Sequence, residues 1–153
     1  MKQLLALIAL TLLGLPSLDA GAAADQGSLQ EAEAMVKRAI VYYDKHGKEK
    51  SVAEFSRSPG TFVDRDLYVT VYTLQGVPLA HINPRLIGKD LMDLRDPDGK
   101  YIVKDRMELA QKQGKGWQDI KFFNPVSKKI EPKRVYFEKH DNLVFACGAY
   151  LPE

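Results

Sequence analysis

The sequence has little cysteine, little net charge and no long apolar run. A single cysteine, Cys147, in 153 residues excludes a disulfide framework, a cysteine-built zinc site and a c-type haem attachment pair. The 22 basic and 20 acidic side chains give a net charge of +2, and no Lys- and Arg-rich stretch is present to follow a phosphate backbone. No nucleic-acid partner is therefore expected, and 45% hydrophobic with 27% charged residues is typical of a globular protein.

The longest apolar stretch lies at the amino terminus. It covers residues 4–15, whereas a helix that spans a bilayer needs about 20 apolar residues. A lysine precedes the stretch, Pro16 ends it, and the small residues 20–24 follow. This order is typical of a secretory signal peptide, which we place at residues 1–24. An uncleaved membrane anchor is the alternative.

Cleavage after Ala22 or Ala24 would leave a single domain, residues 25–153. No second apolar segment follows, so we expect an exported protein that is not embedded in the membrane after cleavage. The lone cysteine suits that compartment, because spare thiols are a liability where disulfides form.

The familiar catalytic motifs are also missing. The chain has no glycine-rich phosphate loop, no nucleophile elbow and no His-x-x-x-His pair. Cys147 lies in the apolar stretch 144–149 and is expected to be buried, whereas a reactive thiolate needs exposure and positive neighbours. We therefore predict that the protein is not an enzyme and carries no cofactor.

A calcium or other metal site is not expected either. Asp96-x-Asp98-Gly99 resembles the middle of an EF-hand loop, but Leu94 and Asp105 would stand at the first and last positions, where Asp and Glu are required. The Pro and Gly of the segment predict a tight turn instead. The three histidines, 46, 81 and 140, are scattered along the chain.

Capping and periodicity predict three helices. Residues 28–31 form a capping box that begins an amphipathic helix, and Gly47 ends that helix. A second capping box, at residues 51–54, predicts a short helix that ends before Ser58. The third helix is predicted from about residue 101 to 113.

The remaining chain is rich in β-branched and aromatic residues and in turn residues. It predicts five strands, joined mainly by hairpins, at 67–74, 77–82, 116–123, 133–139 and 143–150. Hairpins imply an antiparallel sheet with helices packed on its faces. The predicted fold class is α+β in one domain.

Aromatic and cationic side chains cluster along these strands. A lysine neutralises a carboxylate, and phenol or imidazole groups fix its orientation, so the set is suited to a small anion. Taken singly, each tyrosine or tryptophan is better explained as a core residue, and the lysine as a solvated one. The candidates are Tyr68, Tyr72, His81, Trp117, Lys133 and Tyr136.

Short phrases along residues 30–150 carry a family resemblance. In order they include Asp66-Leu67-Tyr68-Val69, Gly76-Val77-Pro78-Leu79-Ala80-His81, Leu86-Ile87-Gly88-Lys89-Asp90-Leu91, Asp96-Pro97-Asp98-Gly99-Lys100, Gly114-Lys115-Gly116-Trp117, Asn124-Pro125, Lys133-x-x-Tyr136 and Gly148-Ala149-Tyr150. Their order and spacing resemble the single Cache domains, the extracytoplasmic sensor modules of bacterial chemoreceptors and sensor kinases.

The resemblance implies a PAS-like fold, in which a long amino-terminal helix packs behind the antiparallel sheet and a small organic acid binds on the other face. It implies the six candidates above as ligand-binding residues. Tyr101 and Arg106, on the helix that covers the pocket, are second choices, and Arg106 could contact a carboxylate through two nitrogens.

Two features depart from the family pattern. Ile120 and Phe123 stand where members often carry Tyr and Pro. The sequence stops at Glu153, where receptors continue into a transmembrane helix and a signalling domain, so we expect a free-standing secreted Cache protein.

Two hypotheses follow. The first is a periplasmic sensor protein that binds a small carboxylate or similar metabolite and takes part in signal transduction. The alternative is a ligand-free interaction module that docks on a membrane sensor kinase or chemoreceptor.

Overall fold

The computed structural model describes residues 26–152, so the predicted signal peptide, 1–24, lies outside the described residues. Three α-helices, seven strands and one short 3₁₀ helix follow one another along this part of the chain. They are α1 (Leu29–His46), α2 (Lys48–Phe55), β1 (Val63–Asp64), β2 (Leu67–Tyr68), β3 (Thr70–Thr73), β4 (Pro78–Ala80), the 3₁₀ helix (Pro84–Leu86), α3 (Val103–Gln113), β5 (Lys115–Phe123), β6 (Ile130–His140) and β7 (Leu143–Tyr150).

Five of the strands form one antiparallel sheet in the order β4-β3-β7-β6-β5. Helix α1 packs against β6 and β7, and α3 packs against β5 and β6. The sheet therefore lies between helices, which confirms the predicted α+β class. Strands β1 and β2 form a separate two-stranded ladder.

The predicted capping box at the start of α1 is confirmed. The Ser28 hydroxyl accepts from the Glu31 amide, and the Glu31 carboxylate accepts from the Ser28 amide. At the other end, Gly47 adopts φ 77° and donates its amide to the Tyr43 carbonyl. Glycine takes this backbone conformation without steric cost, so the helix ends there.

The predicted start of the second helix was wrong. Helix α2 begins at Lys48, directly after Gly47, and the Ser51 amide donates to the Gly47 carbonyl. Ser51 lies inside the helix and is buried, so its hydroxyl is not an amino-terminal cap.

The predicted strand at 67–74 is two strands. Val69 separates them and donates its amide to the Phe62 carbonyl. Strand β2 pairs with β1 before Val69, whereas β3 pairs with β4 and β7 after it. The chain therefore changes partners at Val69, which strand propensity does not reveal.

Alternation along the strands sorts the core into two layers. Val71, Phe145 and Cys147 belong to the layer shared with α1, whereas Val135 and Val144 belong to the layer shared with α3. Residues next to each other in a strand point to opposite faces, so the sheet separates these layers. Within residues 26–152, no helix is long and apolar enough to span a bilayer.

Candidate functional site

A cavity lies in the second layer, on the sheet face opposite α1. Helix α3 and the connection from β4 to α3 cover it. The volume of the cavity that the centre of a water molecule can occupy is about 30 Å³. Its polar lining comprises Tyr68, Thr70, Tyr72, His81, Arg106 and Lys133, and its apolar lining includes Leu86, Leu91, Leu94, Ile102, Ile120 and Phe122.

Lys133 is a buried cation in this lining, with 4% of its surface exposed. Its Nζ lies 3.9 Å from the ring centre of Tyr68 and 4.4 Å from that of Tyr150. It also donates a 3.3 Å hydrogen bond to the Tyr150 hydroxyl, which donates in turn to the Phe123 carbonyl. Aromatic faces and a hydroxyl stabilise the ammonium without neutralising it.

Arg106 is the second buried cation, with 3% of its surface exposed. Helix α3 presents it to the cavity, and its Nε donates a 2.9 Å hydrogen bond to Gln118 Oε1. The guanidinium carbon lies 5.7 Å from the ring centre of Tyr72. The partners of Arg106 are therefore neutral as well.

Neither cation forms an ion pair within the described residues. A buried charge is costly unless an opposite charge and hydrogen bonds compensate it. Two such charges beside one cavity raise its positive potential. The arrangement is therefore suited to binding an anion.

His81 lines the same cavity and is neutral near pH 7. Burial, followed by the positive charges of Lys133 and Arg106, lowers the pKa of His81 to about 3. The Asn83 amide donates a 2.9 Å hydrogen bond to Nδ1, so the neutral ring carries its proton on Nε2. This N–H is a donor that the cavity can offer to an oxygen atom.

Five of the eight predicted site residues line the cavity. They are Tyr68, Tyr72, His81, Arg106 and Lys133. The other three, Tyr101, Trp117 and Tyr136, lie elsewhere.

Trp117 and Tyr136 face the other side of the sheet. They oppose each other across β5 and β6, with ring centres 5.1 Å apart. Tyr136 belongs to the layer shared with α1 and donates to Glu138. Lys133 and Tyr136 are three positions apart in one strand, an odd number, so alternation sends them to opposite faces.

Tyr101 lies before α3 and points away from the cavity. Its hydroxyl accepts from Arg95, whose guanidinium carbon lies 3.7 Å from the ring centre, and Lys104 approaches the same ring at 4.9 Å. Tyr101 thus fixes the loop beside α3.

Two residues that hold the cations were not predicted. Tyr150 stands opposite Lys133 in the register of β6 and β7, and Gln118 is two positions before Ile120 on the cavity face of β5. Pairing and alternation in the predicted hairpin could have indicated Tyr150, but the contact of Gln118 with α3 depends on tertiary packing.

Cys147 is 2% exposed, and its Sγ lies 3.8 Å from Met35 Sδ in the layer shared with α1. Burial raises the pKa of its thiol to about 12, so it is not a nucleophile near neutral pH.

Asp96 closes the predicted tight turn. Its carboxylate accepts hydrogen bonds from the amides of Asp98, Lys100 and Lys121. Backbone amides thus occupy the oxygens that a cation would need. Residues 26–152 contain no group of three His, Cys, Asp or Glu side chains arranged to hold a metal ion.

The sequence matches the family model described as Single Cache domain 2 over residues 4–151. The chain belongs to the single Cache domain family. Cache domains are sensory ligand-binding domains, and this membership agrees with the helix-backed sheet and its cavity.

Solved structures share the fold at low sequence identity. A methyl-accepting chemotaxis protein from Vibrio parahaemolyticus RIMD 2210633 is 22% identical, with a TM-score of 0.69, and the match covers 79% of this chain and 86% of that one. A Cache chemosensory domain that recognises carboxylic acids is 19% identical with a TM-score of 0.70, covering 80% and 92%. The periplasmic sensor domain of a chemotaxis protein is 21% identical with a TM-score of 0.62, covering 80% and 90%.

Proposed function

We propose that this Cache domain is a periplasmic sensor for a small organic acid. One observation carries the proposal: Lys133 and Arg106 are both buried at one cavity, and neither forms an ion pair within residues 26–152. A carboxylate ligand would supply the missing negative charge. The likeness to a Cache chemosensory domain that recognises carboxylic acids supports the same ligand class.

The cavity groups can divide the recognition of a carboxylate. The planar guanidinium of Arg106 is matched to two carboxylate oxygens, and Lys133 provides a point charge. His81 offers a neutral Nε2–H, because Nδ1 already accepts from the Asn83 amide. That N–H can donate to a carboxylate oxygen or to a neighbouring oxo or hydroxyl group of the acid.

The size and remaining lining of the cavity restrict the rest of the ligand. The volume in its interior that a water centre can occupy is only about 30 Å³, so the enclosed space suits a small molecule. Leu86, Leu91, Ile120 and Phe122 contribute apolar surface. We therefore propose an acid of a few carbon atoms, with its hydrocarbon end against these side chains.

Thermal unfolding of the purified protein tests this function. Acetate, propionate, pyruvate and lactate are each added, with propionamide as a neutral control. A ligand at 100 times its dissociation constant should stabilise the folded state by about 2.7 kcal/mol. A stabilising acid is expected, with a smaller effect from the amide, and a flat response to every acid would contradict the proposal.

Two lysine variants provide a matched comparison on one strand. Lys133→Met should abolish the stabilisation by the acid, because it removes one of the two cavity charges. Lys139→Met is the control, since Lys139 lies on the same strand but is exposed. Stabilisation by the acid that is unchanged in Lys133→Met would place the binding site elsewhere.

Export and partnership are further parts of the proposal. We propose cleavage of the signal peptide 1–24 and passage of the ligand signal to a membrane sensor kinase or chemoreceptor. Periplasmic fractionation and mass determination of the amino terminus test the first. Copurification of a membrane sensor, with and without the stabilising acid, tests the second. Capture that is independent of the acid would favour the ligand-free docking module.

A further inference from the structure

The hydrogen bond between Gln118 and Arg106 determines what the guanidinium can offer to a ligand. Gln118 is 8% exposed on β5, and its Oε1 accepts from Arg106 Nε at 2.9 Å. Within residues 26–152, the Arg106 side chain makes no other hydrogen bond. Its two terminal nitrogens are therefore free of protein hydrogen bonds in this part of the chain, and Arg106 lines the cavity.

The orientation of the Gln118 amide is fixed from its other end. Its Nε2 donates to the Ile102 carbonyl at 3.0 Å and to the Tyr101 carbonyl at 3.4 Å. Both carbonyls precede α3, the helix that carries Arg106. Carbonyls accept and a guanidinium donates, so the amide can satisfy both sides only with its oxygen toward Arg106. Gln118 thus ties β5 to the start of α3 and to the cation on that helix.

The neutral amide has a second consequence. Glutamate has nearly the same shape and could also accept from Nε, but it would add a negative charge next to Arg106. A buried arginine paired in this way has less charge to offer to a ligand, because the carboxylate of the protein competes with that of the acid. Glutamine positions Arg106 without this competition.

We infer that Gln118 is a positioning residue that directs Arg106 at the cavity and, being neutral, preserves the preference of the site for a carboxylate over an uncharged ligand. The inference rests on the proposed binding of a small acid and adds the residue that sets its charge selectivity. Gln118 acts through Arg106 and is not itself required to touch the acid.

The test compares Gln118→Glu with wild type in calorimetric titrations with propionate and propionamide. The affinity of Gln118→Glu for propionate should fall by about 10- to 100-fold, and the ratio of its propionate to its propionamide affinity should fall by about tenfold or more. A merely structural role predicts a similar loss for both probes and an unchanged ratio, which would overturn the inference. Gln111→Glu, exposed on α3, adds the same charge as a control and should bind as wild type does.

Gln118→Leu supplies a second variant in case a buried glutamate prevents folding. It should weaken propionate binding, because Arg106 loses its acceptor, while the charge of the guanidinium remains. The Arg106 Nε–H resonance in NMR gives a readout that needs no ligand. It should be protected from solvent exchange in wild type and exchange faster in Gln118→Leu.

The two readouts separate the inference from the proposed function. Wild type that binds no acid would remove the proposed function, and a protected Nε–H would still support positioning by Gln118. A rapidly exchanging Nε–H in wild type, or propionate affinity in Gln118→Glu equal to that of wild type, would overturn the inference itself.

Discussion

Lys133 lies across the backbone of Gly148, with no room between them for a side chain. A Cβ atom at Gly148 would be 2.7 Å from Lys133 Cε and 2.8 Å from Val135 Cγ2, and 3.0 Å from the Arg134 carbonyl oxygen. Contacts under about 3 Å force something to move, and the backbone oxygen cannot withdraw as a side chain can. The absence of a side chain at Gly148 therefore makes room for the buried hydrocarbon part of the Lys133 side chain.

Gly148→Ala should displace Lys133 and strain the sheet. We expect a loss of about 1–3 kcal/mol in the free energy of unfolding, as for overpacked cores, together with weaker binding of the acid. Urea unfolding and calorimetric titration measure the two effects. Gly116→Ala is the comparison, because its Cβ would meet only side-chain atoms, at 3.1 Å and beyond. A Gly148→Ala protein with wild-type stability and affinity would contradict this packing.

His81 should make stability depend on pH in acid. Its pKa is about 3 in the folded protein and about 6.5 in an unfolded chain. Between these values the unfolded state binds more protons, so its contribution is fully present above about pH 6.5 and is lost as the pH falls toward 3. The slope contributed by this residue is at most about 1.4 kcal/mol per pH unit.

Urea unfolding of wild type and His81→Gln across pH 4–7 measures this contribution by difference. The free energy of unfolding should fall less steeply with acid in His81→Gln than in wild type. His140→Gln, on a histidine outside the cavity, should retain the contribution of His81. Parallel curves for wild type and His81→Gln would show that His81 is not held neutral by its surroundings.

Tyr136 and Tyr68 should respond differently to substitution. Tyr136→Phe removes a hydrogen bond to Glu138 on the face away from the cavity, so ligand affinity should remain as in wild type. Tyr68→Leu removes the ring that lies 3.9 Å from Lys133 Nζ and should weaken binding by about tenfold, since a desolvated cation–π contact contributes up to about 2 kcal/mol. Titration of both variants with the same acid checks the contrast, and a larger loss in Tyr136→Phe would reverse the assignment of faces.

Local sequence signals predicted most of the architecture because they act over a few residues. The Ser28 cap, the glycine stop at Gly47 and the strand Leu143–Tyr150 were predicted where the structure has them. The break at Val69 was not predicted, since it depends on the chain changing partners between β1 and β7. The start of α2 was misplaced because Ser51 has the residue type of a cap but lies within the helix.

The site was less accessible to sequence reasoning than the fold. Strand alternation alone predicts that Lys133 and Tyr136 lie on opposite faces of the sheet. The family resemblance, through the phrase Lys133-x-x-Tyr136, nevertheless implied both as ligand-binding residues. The exposed surroundings of Tyr101 and the hydrogen bond of Gln118 depend on how α3 packs on the sheet. Such contacts join residues that no local pattern relates.

The proposed function depends above all on Arg106 and Lys133 binding a small carboxylate together. Calorimetric titration compares wild type with the double variant Arg106→Met/Lys133→Met, using propionate or whichever short acid gives the largest thermal stabilisation. We expect saturable binding at one site in wild type and at least about 100-fold weaker binding in the folded double variant. A folded wild type that binds none of the acids, or a double variant that retains wild-type affinity, would contradict this assignment.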